Sequence, residues 1–232
     1  VAHQVRNPLS GILGYGSLLR RDLEPDDPRQ KLVTRICDGV ETLNKTVTTL
    51  LSYTQNEEVN RESVQFDDFL NDTILRFKRE NLELAADMDI QVQSSGRPSD
   101  EPLVLWMDPV LIREVFKNLL TNSCEACCSE GTVQVVYRIL PRQRATEWYG
   151  DRLLLGLDET VFELRLSDSG PGIGDEDRAS IFAPFFTTKD SGNGLGLAVA
   201  WKIMKAHGGE ILADRAPNGG AQFVLLLPVK MN

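Results

Sequence analysis

Apolar positions open the chain at helical spacing: Val5, Leu9, Ile12, Gly16, Leu19 and Leu23 recur at alternating steps of four and three. That alternation predicts a helix with a heptad seam, packed against other helices. The Glu24-Pro25-Asp26-Asp27-Pro28 stretch stops it. A second run, Leu32, Ile36, Val40, Leu43, Val47, Leu50 and Thr54, repeats the spacing and ends near Gln55-Asn56-Glu57-Glu58. The two runs predict an antiparallel helical hairpin over 1–60. One seam on each of two helices cannot enclose a core, so pairing with a second copy into a four-helix bundle, a homodimer, is expected. After Asn60 the texture changes to an α+β pattern over 61–232. An amphipathic segment lies near 66–84. Strands are expected at 90–93, 103–107, 132–140, 161–167, 210–214 and 221–228, with helices at 109–128 and 194–207. Asp108 before Pro109 reads as an N-cap followed by proline at the first helical position. Residues 141–160 read as a long polar hairpin connection carrying Trp148 and Tyr149, either solvated or a partner contact.

Composition narrows the functions. The chain has 232 residues, 41% of them hydrophobic and 25% charged, and carries a formal net charge of -9 from 25 Lys plus Arg against 34 Asp plus Glu. A broad footprint for nucleic acid or anionic membrane is therefore excluded, while a local phosphate site is not. No run of apolar residues long enough to span a bilayer appears, and no secretory leader opens the chain. Cys37, Cys124, Cys127 and Cys128 form no paired CxxC motif and have no histidine at ligand spacing, which points to a reducing, cytoplasmic setting. The last three share one helix at steps of three and one. Lacking a fourth ligand, they read as small core or surface residues.

Two glycine clusters carry the first chemical signal. Asp168-Ser169-Gly170-Pro171-Gly172-Ile173-Gly174 follows a strand and puts a carboxyl group at its end, before a chain free to approach a ligand. Gly192-Asn193-Gly194-Leu195-Gly196-Leu197 opens a helix, where bare N–H groups make a phosphate cradle. In this order, around an intervening segment, they suggest a nucleotide site with a lid. Between them lies Ile181-Phe182-Ala183-Pro184-Phe185-Phe186-Thr187-Thr188-Lys189, in which Phe182, Phe185 and Phe186 read as buried lid anchors. Lys189 is either an exposed lysine or a point charge for a γ-phosphate. On the helix after Asp108, Asn118 and Asn122 stand one turn apart on one face with Glu125 near that line. An amide oxygen is a hard ligand suited to Mg²⁺, although two asparagines alone would also pass as ordinary surface.

Taken together, these residues resemble the cytoplasmic core of a sensor histidine kinase of two-component systems, over nearly the whole chain and in order. His3-Gln4-Val5-Arg6-Asn7-Pro8-Leu9 resembles the phosphoacceptor box, and Asn118-Leu119-Leu120-Thr121-Asn122 the N box. Residues 168–174, 181–189 and 192–197 resemble the first glycine box, the F box and the second glycine box. Gly219-Gly220-Ala221-Gln222-Phe223 resembles the last glycine box. The Arg-Asn-Pro-Leu and Pro-Phe-Phe-Thr-Thr-Lys strings are most similar to the nitrogen-regulation-like subgroup. The resemblance implies a dimerising hairpin followed by a two-layer α+β sandwich of the gyrase, Hsp90 and histidine kinase type, with ATP and Mg²⁺ as cofactors. It implies that Asp168 accepts from the adenine amino group, that Asn122 holds Mg²⁺, and that Asn118, Gly170, Gly172, Ile173, Phe182, Lys189, Gly192, Gly194, Leu195, Gly196 and Leu197 line the nucleotide. Hydrolysing relatives carry a glutamate base where this chain has Asn118; an amide cannot take a proton from water. His3 would accept the phosphoryl group, pass it to an aspartate of a response-regulator receiver domain, and share its helix face with Asn7, which would orient water in the reverse reaction. Pro8 cannot donate to the carbonyl of Gln4, so the helix is expected to loosen there.

Three positions depart from the family pattern. Gln4 replaces the usual acidic residue after the histidine, which raises the alternative of an ATP-binding pseudokinase or a phosphatase-biased module with weak kinase activity. Ala221 stands where threonine is common, and Glu125 where other subgroups carry a phosphate-side lysine. The other histidine, His207, precedes Gly208-Gly209 at a helix end and reads as structural, a cation favoured by the dipole. The chain opens two residues before His3, so it reads as a fragment lacking the upstream sensor, cytoplasmic in itself or as part of a membrane-bound sensor.

Overall fold

The computed structural model describes residues 2–54, 58–95, 102–150, 160–189 and 192–229, with the side chains of 2–6, 45, 52 and 54 outside that description. Helices α1 (Ala2–Asp22) and α2 (Arg29–Thr54) form the hairpin. Asp27 closes the turn: its carboxyl accepts from the main-chain N–H of Arg29 at 2.8 Å, and the Arg29 guanidinium beside it lowers its pKa to about 2. Gln30 Nε2 donates to the free carbonyls of Arg20 and Leu23, satisfying the end of α1. The heptad seam is divided. Leu9 and Val33 are buried, and Gly16 lies against the Cys37 sulfur, which would have to turn aside for a side chain at 16. Ile12, Leu19, Leu32, Ile36 and Leu43, all seam positions, are exposed. The helices meet along one stripe, which leaves the rest of the seam with no apolar surface to cover it in a single chain.

The remainder follows as β1 (Glu62–Gln65), α3 (Phe66–Glu80), β2 (Asp87–Ser94), β3 (Val104–Met107), α4 (Pro109–Ala126), β4 (Glu130–Pro141), α5 (Arg142–Tyr149), β5 (Thr160–Asp168), α6 (Gly196–Ala206), β6 (Glu210–Arg215) and β7 (Ala221–Val229). β1 pairs antiparallel with β3; the other strands form a sheet ordered β2-β4-β5-β7-β6, parallel only between β2 and β4. β5 is central and reads by alternation. Phe162, Leu164 and Leu166 face a core filled by α3, α4 and α6, including Phe66, Leu70, Phe116, Leu119 and Met204. Val161 belongs to a second, smaller cluster with Ala145, Val224 and Leu226.

That second cluster corrects the expected polar connection at 141–160. Its first part is helix α5, which lies on the sheet face opposite the main core; 151–159 are outside the described residues. Buried Glu163 fixes this face, bonding Arg138 at 2.5 and 3.1 Å, Arg165 at 3.1 Å and the Tyr149 hydroxyl. Burial, then the bond to Glu163, pushes the Tyr149 phenol up to about 12. Trp148 sits with Arg138, Arg144 and Arg165 over its ring.

The hairpin meets this unit at α6. Lys202 donates to the Tyr53 carbonyl and lies 5.4 Å from its ring centroid, and Arg61 Nη2 donates to the Ala206 carbonyl at 3.3 Å. The opposite end of α4 is locked at its cap. Asp108 Oδ1 accepts from Val110 N and Leu111 N at 3.0 and 3.1 Å, as Asp-Pro predicts, and Oδ2 accepts from Asn60 N at 2.9 Å. Asp108 N donates to His207 Nε2 at 3.1 Å, so His207 Nδ1 is the protonated nitrogen and donates to Ile203 O at 2.8 Å. His207 is structural but not a cation: burial lowers its pKa from the ordinary value.

Candidate nucleotide site

Folding puts Asp168 at the end of the central strand, 1% exposed and beneath α4. Its Oδ1 accepts from Gly170 N and Ala221 N, both at 3.0 Å, and its Oδ2 accepts from Ser123 Oγ at 3.1 Å. The loop before β7 has to run against it. A side chain at Gly220 would be driven into the Asp168 carbonyl, so only glycine passes there, and Asn218 Nδ2 completes the corner by donating to that same carbonyl at 3.2 Å. Gly170 lies over Ala126 of α4, Gly172 turns at φ +84°, and Ile173 packs at the edge of the core. Ala221 contributes through its backbone N–H, which any residue at that position would carry.

One turn earlier on α4, Asn118 and Asn122 sit half-buried beside the start of α6. Asn118 Nδ2 is buried and finds no hydrogen-bond partner, while Asn118 Oδ1 lies at the backbone of Gly196. Leu195 is fully buried and anchors the cradle, and its N–H is satisfied by Asn193 Oδ1 at 3.1 Å. The first N–H groups of α6, at Gly196 and Leu197, lack helical partners by their position. Gly194, at φ +65°, carries the backbone of Phe185 and Phe186 directly against it, so a side chain there has neither the space nor the conformation. Gly192 lies beside Thr187.

The 181–189 segment behaves in part as expected. Ile181 is buried and Phe182 and Phe186 pack on the core. Phe185 is no buried anchor: it is 61% exposed, at φ +66°, because its backbone rather than its ring makes the contact with Gly194. Lys189 is not free. Its Nζ reaches Asn122 Oδ1 at 2.8 Å and Glu125 Oε2 at 2.7 Å, bringing the last residue of the segment onto α4.

The sequence pattern missed Ser123. The signal was present: Ser123 is four residues after Leu119 and seven after Phe116, a hydroxyl on the buried stripe of α4 that has to find a partner. Asn218 carried no comparable signal. Cys124 and Cys127 are buried, burial pushes the Cys124 thiol up to about 11, and no group of three or more His, Cys, Asp or Glu placed to hold a metal occurs among the described residues. His3 and Gln4 lie in the first turn of α1, with side chains outside the description; Asn7 is exposed one turn on, and α1 continues through Pro8.

An Asp-anchored strand end, an asparagine-bearing helix and a glycine-opened helix meet at one candidate nucleotide site, on a mixed sheet behind a helical hairpin. Residues 107–231 match the histidine kinase-, DNA gyrase B-, and HSP90-like ATPase family, and residues 1–59 match the His Kinase A (phospho-acceptor) domain. The chain belongs to that ATPase family and carries the domain pair of a two-component sensor histidine kinase core. It is 29% identical over 230 residues to the signal transduction histidine-protein kinase AtoS of Escherichia coli, covering 99% of this chain and 34% of that protein. It is 30% identical over 231 residues to the sensory histidine kinase/phosphatase NtrB of Rhodobacter capsulatus, covering 99% and 60%. The chain thus spans between a third and three fifths of these relatives. Its fold is shared with full-length ShkA in complex with AMPPNP (TM-score 0.72, 22% identity, covering 100% of this chain and 45% of that one). It is shared too with the histidine kinase ThkA in complex with the response regulator TrrA (TM-score 0.67, 23% identity, 99% and 60%). ATP with Mg²⁺ is the ligand of this family, and the residues present fit it. Asn118 offers a buried donor without a partner, α6 offers its first N–H groups, and Asn122 offers a hard oxygen. No helix among the described residues is long and apolar enough to cross a membrane.

Proposed function

We propose that the chain is an ATP-dependent protein histidine kinase core that phosphorylates itself on His3 and passes the phosphoryl group to an aspartate of a response-regulator receiver domain. The observation that carries this reading is the placement of Asp168, Asn118 and Asn122 around one site in a chain whose first helix bears His3. Asp168 recognises the adenine amino group as an acceptor, and Asn118 with the start of α6 holds the phosphates. Asn122 holds Mg²⁺, which neutralises phosphate charge when bound. Gly170, Gly172, Ile173, Phe182 and the 192–197 loop shape the walls, and Lys189 belongs to the phosphate end. His3 supplies a neutral ring nitrogen that would form the N–P bond while the γ-phosphorus–oxygen bond to the leaving ADP breaks, the ring proton passing to solvent. Gln4 orients the ring by accepting its N–H, since an amide is no general base. The match to both domains does not favour the pseudokinase alternative that Gln4 raises. Asn118 in place of a glutamate keeps water inactive, so the nucleotide serves the side chain.

The same reading sets the boundary between hairpin and catalytic unit at 60/61 and makes the hairpin a homodimer, through the apolar seam positions exposed in one chain. A sensor segment upstream of residue 1 would drive it. Regulator phosphatase activity fits Asn7, exposed one turn after His3, where its amide orients a water. The test is intact mass after incubation with Mg-ATP, beside His3→Gln. One acid-labile phosphoryl group per chain, absent from the variant, is expected. ATP binding without any phosphohistidine in a dimeric preparation would overturn the kinase reading. Loss of regulator dephosphorylation in Asn7→Ala, with autophosphorylation retained, is expected for the phosphatase role.

A further inference from the structure

Lys189 makes a contact that the proposed reaction does not use. Its Nζ lies 2.8 Å from Asn122 Oδ1, 2.7 Å from Glu125 Oε2 and 3.5 Å from the Asn122 main-chain oxygen. The lysine is set in place locally, because its own N–H donates to Thr187 Oγ1 at 3.1 Å. An ammonium can only donate, so it occupies the one hard oxygen that the Asn122 side chain offers. A divalent ion on the same oxygen would face a like charge at contact distance. The Lys189–Glu125 pair is 33% and 44% exposed, so it is weak enough to open.

We propose that Lys189 is a resident counter-cation of the phosphate end. In the nucleotide-free protein it takes the place on Asn122 that the metal needs, Glu125 sets how firmly it is held, and metal-loaded nucleotide must displace it. The proposal deepens the reading above and rests on Asn122 as the Mg²⁺ residue. It gives Glu125 a role as a positioning residue that tunes the Mg²⁺ concentration at which nucleotide loads.

The test is calorimetric titration of ADP across a series of Mg²⁺ concentrations. ADP has no γ-phosphate, so a contact of Lys189 with that group does not enter. Glu125→Gln and Lys189→Met are each expected to lower the Mg²⁺ midpoint about three- to fivefold, the scale of one partly exposed ion pair. The difference from the parent protein should shrink at high salt. An unchanged midpoint in both variants overturns the proposal. So does a raised midpoint in Glu125→Gln, which would make Glu125 a holder of the metal. Asn122→Ala separates the two failures. If it keeps the parent Mg²⁺ midpoint, the assignment of Asn122 fails and the proposal with it. If it abolishes Mg²⁺ dependence while the other variants do not shift, the counter-cation alone is overturned.

Discussion

The two ends of the site are built differently. At the strand end, Asp168 is sealed by Ser123 Oγ, Gly170 N and Ala221 N, contacts supplied by α4, the loop after β5 and the start of β7. At the other end, Asn118 Nδ2 has no hydrogen-bond partner, and Asn122 Oδ1 meets Lys189 Nζ, which Glu125 also holds. A buried donor left without a partner costs about 1–3 kcal/mol, a cost that a bound ligand or water removes. The difference teaches that the proposed base-recognising end is completed by folding, and the proposed phosphate end is left for what binds there. Preorganisation at the first end spares binding energy, while the second end is where binding changes the protein.

The sharpest way to break this comparison is Gly220→Ala. The new methyl collides with the Asp168 carbonyl, so the loop must shift, which should cost about 3 kcal/mol and lower the melting temperature by roughly 6–12 °C. Nucleotide affinity should fall with it, because the same shift moves Ala221 N off the carboxyl. Thermal melts and a fluorescent-nucleotide titration read both. Asn118→Ala should separate the two quantities: stability should hold or rise by up to about 1–3 kcal/mol, since the variant removes a buried donor that has no partner, while affinity for Mg-ADP falls about 10- to 100-fold. Equal losses in both would remove the distinction between the ends.

A smaller effect concerns how α6 is held. Its N-terminal end forms the proposed phosphate cradle, and its C-terminal end is tied through His207 to the Asp108 cap. Burial lowers the pKa of His207, so below the ordinary value of 6.5 the unfolded chain takes up a proton that the folded chain does not. This contribution is whole above pH 6.5 and is lost as pH falls from there toward the folded value. Chemical denaturation at pH 7 and pH 5.5 should show the folded state weaker at the lower pH, and His207→Gln should flatten that slope.

Much of this was legible in the sequence because it rests on local rules. The hairpin, its turn, the Asp108 cap and the strands β4, β5 and β7 follow from period and capping, and the glycine clusters announced where backbone would crowd a ligand. What escaped has a common physical cause: it depends on partners distant in sequence. β1 is a short strand defined only by β3. Helix α5 has polar composition and one buried residue, Ala145, so no apolar stripe marked it. Phe185 looked like an anchor because its neighbours are, yet its left-handed backbone turns the ring outward. His207 was expected as a cation from its place at a helix end, but burial against Asp108 outweighs the dipole there. The fate of Lys189 turned on Glu125, sixty-four residues earlier in the chain.

Amide hydrogen exchange on the protein, with and without Mg-ADP, tests the contrast between the two ends most directly. The amides of Gly170 and Ala221 should be protected already in the free protein and change little on binding, whereas those of Gly196 and Leu197 should slow by about tenfold or more only when the ligand is present. Equal gains in protection at Ala221 and Leu197 would contradict the account, because the base end would then be made by the ligand as well.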